Sequence, residues 1–305
     1  MLDLDRVVEA SNAIPRPFVR GPQYRSEPLS RLLGVEVVLK VETVNPTGTV
    51  ASRGAEWWFE QHGDAHRIVC PSADDFGVAM AHAGRRRGVE VELFGPIDAD
   101  PAKIESLRHA GTIVRLDGDD ADQARSEAKR YSSMIDARFV DDGDHIELAE
   151  GAATLAAELE HLPDEPDTIF VPIGRGSLAH GTGAWCHERL PRTRVVGVGA
   201  ERAPGTVRSV REGRLVSTPV APGSSAPGMA VSAPSELIVV PLSDALDDTA
   251  LVADHHLEQA AAALLSYEGI RASLDGSAAL AAAALAAPQM RGATVVVPVT
   301  GRAAG

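Results

Sequence analysis

Two short stretches combine residue types and spacing that can do chemistry. The first is Val171-Pro172-Ile173-Gly174-Arg175-Gly176-Ser177-Leu178, an apolar run, a glycine loop and the start of a helical pattern. Backbone amides at such a helix start hold a phosphate, helped by the helix dipole, although glycines also serve plain tight turns. The second is Ser72-Ala73-Asp74-Asp75, directly before a helical pattern over 76–87. A carboxylate pair there can act as general acid and base or can cap the helix, and the capping role is the favoured expectation. Amine chemistry has few sources, because lysine occurs only at 40, 103 and 129. His255-His256 with Glu258 lacks the His-Glu-x-x-His spacing of a zinc protease, and Cys70 and Cys186 have no metal-ligand spacing, so no metal is expected. His180 follows the glycine loop and is either a pocket wall or a surface residue.

These stretches need elements to present them. The run 35–41 reads as a buried strand; Pro46 and Gly48 then turn the chain, and Ser52 is expected to cap a helix carrying Trp57, Trp58 and Phe59. Large aromatics there serve core packing or a subunit interface. From His66 onward strands at 67–70, 89–94, 112–116 and 137–140 alternate with helices at 76–87, 103–110 and 121–131. The breaker Asp141-Asp142-Gly143-Asp144 follows as a crossing point between domains. The second half repeats the scheme: helix 147–162, strand 168–173, helix after the glycine loop, strand 194–198, a Pro/Gly/Ser-rich loop over 203–234, a strand at 238–242, Ala-rich helices at 250–267 and 277–287, and a strand at 293–299. The rhythm predicts parallel sheets with right-handed crossovers, a doubly wound α/β chain with two similar halves.

The turn at 45–55, Asn-Pro-Thr-Gly-Thr-Val-Ala-Ser-Arg-Gly-Ala, resembles the cofactor-lysine segment of the threonine/serine dehydratase family, fold type II enzymes that use pyridoxal phosphate (PLP). That motif reads Pro-Thr-Gly-Ser-Phe-Lys-x-Arg-Gly-Ala. Pro46, Thr47, Gly48, Arg53, Gly54 and Ala55 match it, and Ala51 stands at the lysine position. The resemblance extends from about Ile14 to Arg302, with its motifs in order. It implies the fold type II architecture: two open parallel-sheet domains with helices on both faces, a large one over 1–50 and 142–305 and a small mobile one over 51–141. It implies a phosphate cradle at Gly174, Arg175, Gly176 and Ser177, where Arg175 is a departure, and a ligand-facing loop at Ser72. Asp75 stands where the family has an asparagine against the cofactor ring. Ser273 stands in place of a glutamate that reaches the site. Thr300 matches the serine that bonds the pyridine nitrogen and keeps a hydroxyl. Arg53 is a further candidate for holding an anionic ligand. Lys40 has a counterpart in the family and is expected to be structural, while Lys103 and Lys129 are expected to face solvent.

PLP chemistry needs a lysine, both to hold the cofactor as an imine and to move the substrate's α-proton. Departures at Ala51, Asp75, Arg175 and Ser273 coincide around one site and count against retention of PLP. The expectation is therefore a non-catalytic or redirected homologue that binds a small anionic or amino-acid-like ligand or a partner subunit, as a homodimer or as a hetero-oligomer with an active homologue. The alternative is a lyase with altered PLP or PLP-independent chemistry, with Asp75 as candidate base.

Composition narrows the setting. At 305 residues, 44% hydrophobic and 24% charged, the chain can bury a sizeable core. Its formal net charge of −14 disfavours nucleic acid and anionic membranes as partners. The acidic N-terminus lacks the layout of a signal peptide and no apolar stretch is long enough to span a bilayer, so a cytoplasmic location is expected.

Overall fold

The computed structural model describes residues 2–220 and 226–303. Its strands are β1 (Gln23–Arg25), β2 (Glu36–Val41), β3 (Arg67–Cys70), β4 (Glu90–Gly95), β5 (Ile113–Leu116), β6 (Arg138–Phe139), β7 (Thr168–Pro172), β8 (Arg194–Ala200), β9 (Asp248–Val252) and β10 (Thr294–Val299). Its α-helices are α1 (Leu4–Ala13), α2 (Glu27–Leu33), α3 (Ala51–Gln61), α4 (Asp75–Arg87), α5 (Pro101–His109), α6 (Ala121–Met134), α7 (Ile146–Ala157), α8 (Ser177–Arg189), α9 (Gly205–Glu212), α10 (Glu236–Ala245), α11 (Asp254–Glu268) and α12 (Ala278–Ala286).

A six-stranded sheet runs β1-β2-β10-β7-β8-β9 and a four-stranded sheet runs β5-β4-β3-β6. Among the described residues every pairing is parallel except β1 with β2, which is antiparallel. Apolar side chains alternate across the larger sheet, as a period of two requires. Val37, Leu39, Phe170, Val295 and Val297 enter the core shared with α11 and α12. Val38, Ile169, Val171 and Val296 enter the opposite core, shared with α7, α8 and α10. The smaller sheet is likewise covered on both faces: Ile68, Cys70, Val91 and Leu93 meet α3 and α4, and Val69 and Phe94 meet Ala128 of α6. The doubly wound parallel architecture is thus present, with helices on both faces of each sheet.

Helix ends follow local chemistry. Ser26 caps α2 by accepting from Leu29 N at 3.1 Å, and Gly34 closes it at φ +73. Helices α3 and α7 cross with backbones nearly touching. A Cβ at Gly54 would lie 2.7 Å from the Leu148 carbonyl oxygen, and one at Gly151 would lie 2.5 Å from that of Arg53.

Four sequence expectations change. Ser52 does not cap α3: the helix begins at Ala51 after Val50, and the Ser52 hydroxyl instead pairs with Thr47 Oγ1 at 2.5 Å. The segment expected as a strand at 238–242 lies within α10, because Ile238, Val239, Leu242 and Ala245 share one buried helical face while Leu237 and Val240 are exposed. The helix expected from 250 starts at Asp254; Asp248–Val252 is an edge strand paired with Val196–Ala200. The loop expected over 203–234 contains α9 and a 3-10 turn at Pro227–Met229, and its stretch 221–225 lies outside the described residues. Among the described residues no helix is long and apolar enough to cross a membrane, and no group of three or more His, Cys, Asp or Glu is placed to hold a metal ion.

Candidate functional site: an acidic cavity between the two sheets

In open α/β sheets, ligands bind beyond the carboxyl ends of the strands. The loops leaving β2, β3, β6, β7 and β10 converge there on a cavity of about 180 Å³. Its wall includes Thr49 to Ala51, Ser72, Asp74, Asp75, Asp141, Asp142, Gly174, Arg175, Ser177, Asp275 and Thr300, with Pro227 to Val231 on one side. Of the candidate residues, Ala51, Ser72, Asp75, Gly174, Arg175, Ser177 and Thr300 therefore come together. Gly176 stands just behind at the N-cap of α8, with φ +121 and packed on Leu242 and Ile238.

Arg53, Ser273 and Lys103 are placed differently from expectation. Arg53 is fully buried behind α3 and off the cavity wall. Its guanidinium donates to Glu42 at 2.8 and 2.9 Å, to Glu158 at 2.7 and 3.2 Å and to Thr154 Oγ1 at 2.9 Å, so none of its five donors is left over for a ligand. Lys40, also fully buried, donates to Gly21 O at 2.8 Å and Glu158 Oε2 at 2.5 Å, which fits the structural place expected for it. Burial alone would raise the Glu158 carboxyl, but Arg53 and Lys40 outweigh it and hold it below the ordinary value. Ser273 faces its own turn, where its hydroxyl accepts from Gly276 N at 3.1 Å. Lys103 does not face solvent: its Nζ pairs with Asp75 Oδ1 at 2.8 Å. Burial works against the Lys103 ammonium, but Asp75 and Asp74 outweigh it and raise its pKa. His180 is buried on α8 away from the cavity wall, and burial pushes its pKa down to about 4.

Two helix N-termini point at the cavity; a carboxylate of the chain itself caps that of α4, and another stands beside that of α8. Asp74 caps α4: it accepts from Phe76 N at 3.0 Å and from the Ser72 hydroxyl, which in turn takes Gly77 N at 3.1 Å. Asp142 sits at the start of α8 and accepts from Ser177, whose oxygen also takes Gly143 N at 3.0 Å. The expected capping role of Asp74 is therefore seen directly, while Asp75 is the first residue of the helix and pairs with Lys103.

The carboxylates crowd one another. Burial, with Asp275 and Asp74 adding to it and Lys103 opposing, pushes Asp75 up to about 6. Burial, with Asp141 and Asp74 adding to it against the Ser177 hydrogen bond and Arg175, pushes Asp142 up to about 6. Burial also raises Asp141, against the pull of Arg175 and Arg125. Arg175 turns toward these carboxylates: its Nε is 3.4 Å from Asp141 Oδ1 and its Nη2 is 3.9 Å from Asp122 Oδ1. Asp141, Asp142, Asp275 and Lys103 are thus site residues that sequence reasoning did not single out. The acidic breaker at 141–144 was the one available signal, read there as a domain crossing.

Comparison with known proteins accounts for the architecture. Residues 17–301 match the family model described as "Pyridoxal-phosphate dependent enzyme". The chain is 28% identical over 306 residues to an L-threonine ammonia-lyase of Thermotoga maritima, covering 99% of this chain and 75% of that protein. It is 29% identical over 289 residues to an L-threonine ammonia-lyase of Geobacter sulfurreducens, covering 93% and 71%. Among solved structures it resembles the processed form of threonine deaminase isoform 2 from Solanum lycopersicum, with a TM-score of 0.87, 22% identity and coverage of 99% and 86%. It also resembles maize serine racemase, with a TM-score of 0.89, 22% identity and coverage of 100% and 94%. The fold type II architecture expected from the turn at 45–55 is the one these structures share. The chain belongs to the pyridoxal-phosphate dependent enzyme family, within its threonine/serine dehydratase-like group.

Proposed function

We propose that this chain is a redirected threonine/serine dehydratase-like protein, which uses the family cavity to bind a small ligand without lysine-held PLP. The observation that carries the reading is the donor set of the cavity. Ala51 brings a methyl group to the wall where α3 begins, and no lysine is among the described wall residues. PLP brings a phosphate and a phenolate, and both want donors. Here the Asp142 carboxylate stands beside the start of α8, on the Ser177 hydroxyl, and Asp75 stands where the family resemblance places an amide. Thr300 is the one cofactor-ring contact of the expected set that keeps its chemistry. These residues do not fit the cofactor.

Lys103 supports the same reading. It is the lysine nearest the cavity, but its pairing with Asp75 keeps it protonated, and an ammonium is no nucleophile. The test is a visible absorption spectrum of the purified protein with added PLP, before and after borohydride. No reducible band is expected, and a borohydride-sensitive aldimine would defeat the proposal. A homodimer, or a hetero-oligomer with an active homologue, belongs to the same proposal, and co-purification followed by sedimentation tests it.

A second reading, a PLP-independent lyase, draws on one observation. Asp75 lines the cavity with its pKa raised to about 6, in the range that suits a general base near neutral pH. Under that reading Asp75→Asn abolishes turnover of a small amino or hydroxy acid; an unchanged rate rules the base out.

A further inference from the structure

Resting on the proposal that the cavity holds a ligand other than lysine-bound PLP, we infer that this ligand is a small organic amine, bound as its ammonium and carrying neither phosphate nor carboxylate. Of the two places where this fold offers an anion a helix N-terminus, that of α4 is capped by Asp74, and that of α8 has Asp142 beside it, hydrogen-bonded to the Ser177 hydroxyl. An incoming anion would have to displace a covalently tethered carboxylate at α4, and at α8 it would meet the Asp142 charge. It would then meet the remaining carboxylates of the wall.

Charge within the cavity points the same way. Asp74, Asp75, Asp141, Asp142 and Asp275 all line it, and among the described residues Arg175 is the only basic one on the wall. That arginine lies within ion-pair distance of Asp141 and Asp122, which offset its charge without a hydrogen bond to Asp141 Oδ1. Lys103 offsets one carboxylate from behind, and Arg125 offsets another, holding Asp141 Oδ2. The field of Asp74 acts on Asp75 on its own side and on Asp142 across the cavity, so the negative potential spans the space a ligand would fill. An independent sign comes from the acceptors. Asp141 is 1% exposed, and among the described residues its Oδ1 finds no hydrogen-bond donor; the nearest cation, Arg175 Nε, stands at 3.4 Å. A buried carboxylate oxygen without a donor is costly, and an ammonium inside the cavity supplies one. The apolar part of the wall, Val50, Phe76, Leu148 and Met229, suits a short alkyl chain.

The test is calorimetric titration of the full chain with propylamine, propionate, inorganic phosphate and L-serine, the first two being close in shape and opposite in charge. Propylamine is expected to bind at least about tenfold more tightly than the other three, the scale of one charge-assisted hydrogen bond. Asp75→Asn is expected to weaken propylamine binding by about tenfold on the same scale, and Asp141→Asn gives a second readout should the first variant misfold. Tighter binding of phosphate or propionate overturns the inference, as does L-serine binding as well as propylamine, because the ligand then keeps an anionic group. Absence of propylamine binding alongside a PLP spectrum without an aldimine overturns this inference alone. An aldimine band overturns the functional proposal itself.

Discussion

Ala51 and Asp142 carry the two expectations that belong to single residues. A lysine placed at position 51 is not enough by itself. Ala51→Lys is expected to show no robust serine or threonine deamination, since the new lysine would still face Asp75, with Asp142 still at the start of α8. A coupled assay for the released 2-oxo acid measures this, and strong turnover would show the cavity to be more permissive than its carboxylates imply. Asp142 gives the fold a pH dependence. Its folded pKa, about 6, lies above the ordinary 3.8, so the folded chain holds a proton that the unfolded chain has already lost across that window. Stability from this group therefore falls as pH rises from the lower value to the upper, and the full penalty applies above it. Asp142→Asn keeps an acceptor for Ser177 and removes the charge. It is expected to raise stability by about 1–3 kcal/mol at about pH 8 and by nothing near pH 4. Denaturant midpoints at the two pH values decide it, and an equal effect at both would remove the electrostatic cause.

At the scale of elements, α3 is held by what lies behind it. The cluster of Arg53, Lys40, Glu42 and Glu158 ties α3 to β2 and to the turn that follows α7. Removing Glu158 leaves two buried cations short of a partner, so Glu158→Ala is expected to cost about 3–5 kcal/mol, read from a urea denaturation midpoint. The crossing of α3 with α7 is equally exacting. Gly151→Val puts side-chain atoms where the Arg53 carbonyl sits, and a loss of about 1–3 kcal/mol is expected by the same measurement. Wild-type stability in Gly151→Val would mean that the helices shift apart freely, and in Glu158→Ala that Glu42 alone satisfies both cations.

The same elements show what could be read from the chain. Alternating apolar residues in β2, β7 and β10 disclosed the buried sheet, and the turn after β2 disclosed the family. Motif position could not disclose that Arg53 faces away from the ligand, because one of its partners, Glu158, is 105 residues distant. Lys103 read as a solvent-facing helix residue for a similar reason, since nothing local announces its pairing with Asp75, 28 residues earlier. The segment 238–242 read as a strand because a short apolar run fits either period, and only burial separates its two faces.

Across the whole molecule, the two sheets are joined over the cavity by polar contacts centred on α6. Arg125 of α6 reaches Asp141, and it reaches Asp144 at 2.7 Å. Asp122 of the same helix accepts from Ser232, just beyond the cavity-lining stretch 227–231, and lies 3.9 Å from Arg175, at the loop before α8. Asp122 thus binds the helix that covers the four-stranded sheet to loops carried by the six-stranded one, while Arg125 holds the segment 141–144 by which the chain crosses from β6 to α7. Apolar packing within each sheet's own cores does not depend on them. Arg125→Ala should therefore loosen the junction more than it loosens either body. It leaves Asp141 buried without its hydrogen-bonded cation, and because Arg125 is itself 25% exposed the cost is expected at about 1–3 kcal/mol, below that of a fully buried pair. Hydrogen exchange gives the discriminating measurement. Amides of α6 and of the stretch 227–231 are expected to exchange faster in the variant, while those of β2, β7 and β10 keep their protection. Uniform acceleration across both sheets would mean that the junction and the bodies unfold as one unit, and that the carboxylates facing the cavity are locked by the entire fold rather than by α6.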